Sequence, residues 1–156
     1  MVNVCMEIET TRDIARQILR HRSFSFQEFS QRYAVAQGFI LGECRLQDYE
    51  NRQNSIETDN GELHQLWIDA QHDVVALADK HYKKMLDRGV AKEVARKILP
   101  EGLTISNMYM NGTLRSWLHY INLRCDKATQ KEHRLIAEQC RDIIYGLFPS
   151  IKEVTQ

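Results

Sequence analysis

The chain carries no surplus of either charge. Its 21 lysines and arginines balance 21 aspartates and glutamates over 156 residues. That balance excludes a protein whose whole surface is basic, and with it a nucleic-acid binder of the generally cationic kind. Any phosphate chemistry must come from a local cluster. No run of 18 apolar residues is present, so no segment reads as a membrane-spanning helix, and the residues after Met1 lack a signal-peptide pattern. The four cysteines, Cys5, Cys44, Cys125 and Cys140, form no C-x-x-C pair and no cysteine–histidine group with zinc spacing. No metal is expected, and reduced thiols in a cytoplasmic protein are. Internal repeats and low-complexity tracts are missing as well. The length is that of one domain, residues 1–156, and a domain of that size buries roughly 70% of its unfolded surface.

What is present begins with a strand. In V-N-V-C-M-E-I-E, Val2, Val4, Met6 and Ile8 alternate with Asn3, Cys5, Glu7 and Glu9, the period of a half-buried strand. Such a strand needs a neighbour, from later in the chain, from another subunit or from an upstream segment. Thr10 or Thr11 then caps a helix with Asp13 in its first turn, apolar at Ile14, Ala15, Ile18 and Leu19 and ending near Arg22. An extended piece is expected over 30–44 and a polar loop over 46–61. A long amphipathic helix follows from Glu62 to Arg88, with Leu63, Leu66, Trp67, Ala70, Val74, Leu77, Ala78, Met85 and Leu86 near helical spacing. A short helix over 91–99 stops at Pro100. L-T-I-S-N-M-Y-M reads as a strand, and helices follow over 114–124 and 127–147. The last is capped by Asp126 and has Leu135, Ile136, Ile143, Ile144 and Leu147 as its core face. The fold class is α+β, helix in the majority, with a small mostly antiparallel sheet.

One stretch resists a purely structural explanation. R-H-R-S-F-S-F-Q-E-F-S-Q-R-Y, residues 20–33, threads Phe24, Phe26 and Phe29 between cations and serines. Arg20, His21 and Arg22 stand at a helix C-terminus, where the macrodipole favours a cation by about 0.3–1 kcal/mol. That does not account for Ser25, Glu28, Ser30 and Arg32. Hydroxyls, backbone N–H groups and a guanidinium fork are what a phosphate ester requires. Two explanations stand on spacing alone, a phosphate site and a solvated cluster whose charges pair with one another. Ser30 has no obvious base near it in sequence and reads as a hydrogen-bonding group rather than a nucleophile. Arg96 lies one turn before Pro100. Arg115 and His119 share a helix face, with Arg124 about 180° round from Arg115. His64, His72 and His81 share no metal-ligand face and read as solvated or locally paired.

Residues 20–32 fill every fixed position of R-H-R-x-x-S-x(4)-S-x-R, at Arg20, His21, Arg22, Ser25, Ser30 and Arg32. With A-R-K-I-L-P and L-R-S-W-L-H-Y-I-N-L-R following in order, the chain resembles the flavin-dependent thymidylate synthases from about Val4 to Pro149. The resemblance implies an α+β enzyme that methylates dUMP to dTMP. Methylenetetrahydrofolate would be the carbon donor, FAD the hydride carrier and NADPH its reductant, with sites at the interfaces of a homotetramer. It places Gln17, Arg20, Glu28, Ser30, Arg32 and Arg96 at dUMP, Arg96 reaching the phosphate from a neighbouring subunit. Arg124 falls beside the uracil ring, as the group that helps ionise it. Arg20, His21, Arg22, Glu28, Arg115 and His119 fall at the flavin. Two departures accompany it. The family's segment ahead of the first strand has no counterpart here, so a catalytically incomplete nucleotide- or flavin-binding fragment needing a complementing chain is the alternative. Thr113 and His119 stand where asparagines are common.

Overall fold

The structure is a computed structural model and describes residues 2–152. Strand β1, Asn3–Thr11, runs directly into helix α1, Arg12–Ile18, with Thr11 as the N-cap residue and Asp13 in the first turn. Strand β2, Ser25–Glu28, follows, and then a hairpin of β3, Arg45–Gln47, and β4, Ser55–Glu57. Helix α2 is Gly61–Asp87, started by Asn60, whose side-chain oxygen accepts from Leu63 N at 3.0 Å. Helix α3, Lys92–Ala95, passes into a 3-10 turn, Arg96–Ile98. Strand β5, Ile105–Thr113, leads without a loop into α4, Leu114–Arg124, capped by Thr113. Helices α5, Lys131–Leu147, and α6, Pro149–Lys152, complete the described chain.

The neighbour that β1 requires comes from later in the chain. β5 lies at the centre of a three-stranded antiparallel sheet, ordered β1-β5-β2. Nine residue pairs join β1 to β5, from Asn3↔Thr113 to Thr11↔Ile105. The register aligns Met6 with Met110 and Ile8 with Met108, so the apolar positions of both strands share one face. Helices α1, α4 and α5 cover that face with Ile14, Ile18, Trp117, Tyr120, Ala137 and Ile144, all fully enclosed.

Gly112 is required by this packing. A Cβ built there would meet the Phe24 ring at 2.5 Å. Phe24 is itself buried against Trp117, so the ring has little room to retreat. Gly112→Ala is expected to lower stability by about 1–3 kcal/mol, as overpacking does, measured as a shift of the urea midpoint at unchanged slope.

Several expectations need correction. α1 ends at Ile18, before the R-H-R triplet, because Phe24 must turn into the core and the chain reverses through Arg20 N–H to Gln17 O and His21 N–H to Ile18 O. The extended strand is Ser25–Glu28 rather than 30–44. Residues 34–43 instead drape over α2: Gln71 brackets Gly42, accepting from its N–H at 2.6 Å and donating to its carbonyl at 3.1 Å. The expected loop over 46–61 contains the β3–β4 hairpin. α5 starts at Lys131, since Asp126 bonds Ala128 N in a turn of its own. Its buried face is His133, Ala137, Cys140 and Ile144, while Leu135, Ile143 and Leu147 are exposed. On α2, Ala78 is the one member of the expected apolar stripe that is buried, with Gln71 and Tyr82 beside it.

Candidate active site

The R-H-R triplet forms a turn whose backbone is bent by the burial of Phe24. Phe24 packs edge-on against Trp117 at 4.9 Å and against Tyr120 at 5.9 Å. Phe24 therefore has a structural task, fixing the turn that presents the cations, while Phe29 stays exposed. Arg20 and Arg22 are exposed, and so is Arg115 on α4. Among the described residues none of these three guanidinium groups meets a carboxylate or another acceptor.

His21 points the other way. Arg124, in the last turn of α4, donates from Nε to His21 Nε2 at 2.9 Å. That bond requires Nε2 to be unprotonated, with the ring proton on Nδ1. Burial, with the neighbouring charges of Arg124 and His119 acting in the same direction, lowers the His21 pKa to about 4. Arg124 thus has one donor committed and its two Nη groups free of partners among the described residues. Beneath His21 lies Tyr120, ring edge to ring face at 5.0 Å. The Tyr120 hydroxyl is 3.1 Å from Nε2 of His133, which is fully enclosed. Burial first, and then Arg124 and His21, together lower the His133 pKa to about 4 as well.

Glu93 and Glu28 each gather a separate set of partners. Arg32 binds the Glu93 carboxylate from Nε at 3.3 Å and Nη2 at 3.2 Å, with its guanidinium 5.7 Å from the Tyr33 ring. Arg96 donates from Nε to the Glu93 carbonyl at 3.3 Å. Glu28 accepts from Ser106 Oγ at 2.5 Å and sits 3.6 Å from Arg12. Ser30 Oγ accepts from Arg32 N at 3.3 Å. Gln17 stands apart, donating from Nε2 to Gln130 Oε1 at 2.8 Å. The structure therefore brings His21 to Arg124 and Arg32 to Arg96. No hydrogen bond or ion pair joins these two groups among the described residues.

Tyr120 and His133 were not singled out in the sequence. The signal for His133 lay in its spacing: 133, 137, 140 and 144 follow the stripe that α5 turns inward, and a histidine on that stripe must find a buried partner. Cys125 follows Arg124 directly, but burial raises its thiol pKa, and that of Cys140 is pushed up to about 12. Neither supplies a thiolate nucleophile. Among the described residues no group of three or more histidine, cysteine or acidic side chains could hold a metal, and no helix is long and apolar enough to cross a membrane.

The two depressed histidines make stability depend on pH. Between pH 6.5 and about 4 the unfolded chain binds protons at His21 and His133 that the folded chain refuses. The contribution of these two groups is therefore expected to be flat above pH 6.5 and to fall as pH drops through that window. The loss is at most about 3 kcal/mol for enclosed His133 and less for partly exposed His21. Urea titrations at pH 7 and 4.5 test this; His133→Gln should remove most of the slope.

Comparison with known proteins places these motifs in a lineage. The sequence model of the thymidylate synthase complementing protein family matches residues 1–150. A flavin-dependent thymidylate synthase of Synechocystis sp. is 51% identical over 152 residues, covering 97% of this chain and 70% of the relative. The "Probable flavin-dependent thymidylate synthase" of Paramecium bursaria Chlorella virus 1 is 47% identical over 147 residues, covering 94% of this chain and 68% of that one. In structure, the UMP/dUMP methylase PolB of Streptomyces cacaoi bound with 5-Br dUMP aligns with a TM-score of 0.80 at 26% identity, over 94% of this chain and 68% of PolB. The fold, the ordered motifs and the match across nearly the whole sequence agree: the chain belongs to the thymidylate synthase complementing protein family.

Proposed function

We propose that the chain methylates dUMP at C5 to give dTMP in a flavin-dependent reaction. The names of its relatives and the nucleotide in the related methylase support this. The observation that carries it furthest is Arg124: one donor anchored on neutral His21, two left open. Attack by uracil C5 on an electrophilic carbon builds negative charge on the ring oxygens and N3. The two Nη groups of Arg124 meet that charge, and a lost donor of this kind costs about 3–4 kcal/mol in barrier. A neutral imidazole behind the guanidinium holds its plane without competing for its charge. Gln17, Arg20, Glu28, Ser30, Arg32 and Arg96 hold the nucleotide, with Glu93 yielding or sharing Arg32 when phosphate arrives.

The unpartnered guanidinium groups of Arg20, Arg22 and Arg115 fit a diphosphate-bearing flavin, since such charges need anionic partners. With His21, Glu28 and His119 they are the residues that would hold FAD. When bound, that group, reduced by NADPH, supplies the hydride, and methylenetetrahydrofolate supplies the carbon.

The exposed apolar side chains of α2, with Leu66 at 65% and Leu77 at 60%, would be covered in a homotetramer, and exposed apolar patches mark interfaces. Such an assembly would also let Arg96 of one subunit approach the Arg124 group of another. Light scattering of the purified chain checks the subunit number. Four unpaired thiols support a cytoplasmic setting.

The function is tested by incubating the chain with FAD, NADPH, methylenetetrahydrofolate and 5-tritiated dUMP. Tritium release to water together with a flavin absorbance band that travels with the protein is the expected result. Release no greater than in a protein-free control overturns the proposal.

A further inference from the structure

The interior beneath Arg124 contains a polar pair that packing alone does not require. Tyr120 and His133 are both fully enclosed, and their hydroxyl–imidazole bond is 3.1 Å. Placing two polar groups in a core of Ile18, Trp117, Ala137 and Ile144 is unfavourable unless they satisfy one another, and here the satisfaction is partial. His133 Nδ1 is buried with no hydrogen-bond partner. An apolar pair of the same shape would avoid that cost.

The geometry shows what the pair touches. Tyr120 meets the His21 ring edge-on, with ring centroids 5.0 Å apart and planes at 84°. His133 meets the same ring at 6.1 Å and 81°. His21 thereby rests against both rings of a pair whose own centroids are 5.8 Å apart, the three rings forming a triangle, and its Nε2 is the acceptor for Arg124 Nε. We propose that Tyr120 and His133 are positioning residues for Arg124: the pair fixes the His21 plane, and His21 fixes the guanidinium so that its free Nη groups stay aimed at the substrate. This rests on the proposal that Arg124 acts on the uracil ring. In that reading Arg124 touches the reacting base, and Tyr120 and His133 act on it through His21.

Displacement of a catalytic group by an ångström costs up to about a hundredfold in rate, and a purely orienting interaction appears in kcat rather than KM. The test combines kinetics with a signature that needs no bound flavin. The Arg124 Nε–H resonance, assigned by its loss in Arg124→Lys, should exchange slowly in the native chain because His21 accepts it. In Tyr120→Phe and His133→Leu that exchange should accelerate at least about tenfold. Over the same pair kcat should fall by about tenfold or more, with KM for dUMP little changed. His133→Gln, which can still bond the Tyr120 hydroxyl, should recover most of both. Ile144→Val, in the same core, should lower stability while leaving exchange and kcat as they were.

If Tyr120→Phe and His133→Leu behave like Ile144→Val, the positioning role is overturned. If the native chain releases no tritium at all, the assigned role of Arg124 falls instead. The exchange rate alone then decides whether the pair holds the guanidinium: acceleration supports it and no change overturns it.

Discussion

Arg124→Ala is expected to reduce tritium release from 5-labelled dUMP by about 10²–10³-fold while the fold persists. The size follows from what the side chain does. Its Nη groups are the free donors beside a neutral imidazole, and no cation stands in the same hydrogen-bonded group to replace them. Alanine leaves the space without the charge. His21 would lose the guanidinium that helps keep it neutral, so its pKa should move up toward the ordinary value. Arg124→Lys should recover little, because a single ammonium cannot both bond His21 and span the ring edge. Steady-state kinetics on folded protein, checked by circular dichroism, decides it. A variant turning over within a few-fold of the native rate would remove Arg124 from the chemistry.

Trp117→Ala is expected to have the largest effect on stability, about 3–5 kcal/mol, which is a large share of the roughly 5–15 kcal/mol that hold a domain together. Trp117 is fully enclosed, donates from Nε1 to the Val4 carbonyl at 3.0 Å, and packs on Phe24 and Tyr120. It therefore ties β1, the R-H-R turn and α4 together. If alanine does not fold, Trp117→Phe gives a graded loss by keeping the ring and removing the bond to Val4. Guanidinium titration reads both. A loss below 1 kcal/mol in the alanine variant would mean that the core does not depend on this side chain.

The sequence was most legible where a period and a neighbour agree. β1 alternates cleanly, and the register with β5 keeps Met6 and Ile8 on the enclosed face. α1 shows its stripe through Ile14, Ala15 and Ile18, and all three are enclosed. Legibility failed where the inward face is not the apolar one. On α5 the greasy residues Leu135, Ile143 and Leu147 are exposed and a histidine is enclosed, so hydrophobicity selects the wrong stripe. On α2 the part of the apolar stripe formed by Leu66, Trp67, Val74 and Leu77 faces outward, while the buried face is carried by Gln71, Ala78 and Tyr82. The β3–β4 hairpin was hidden for another reason. Its three-residue strands are too short for a period to show, and the Asp48 carboxylate organises the turn by accepting from the Glu50 and Asn51 N–H groups.

For the candidate site, the local motif marks a cluster of cations but not its connectivity. His21 and Arg124 are 103 positions apart, and nothing in the spacing of either segment says that one accepts from the other. The cluster around Glu93 was likewise unforeseen, because Arg32 is surrounded in sequence by serines and aromatics and finds its carboxylate 61 positions later.

The central place of β5 also has a consequence in time. Among the described residues β1 pairs with β5, which follows it by almost a hundred residues. On a ribosome adding roughly 5–20 residues per second, that strand waits on the order of 5–20 s with Val4, Met6 and Ile8 uncovered. Newly made chain should therefore pass through a chaperone-dependent interval that ends when the hundred-and-teens emerge, and nascent chains arrested before Thr113 should be far more protease-sensitive than those arrested after Leu147.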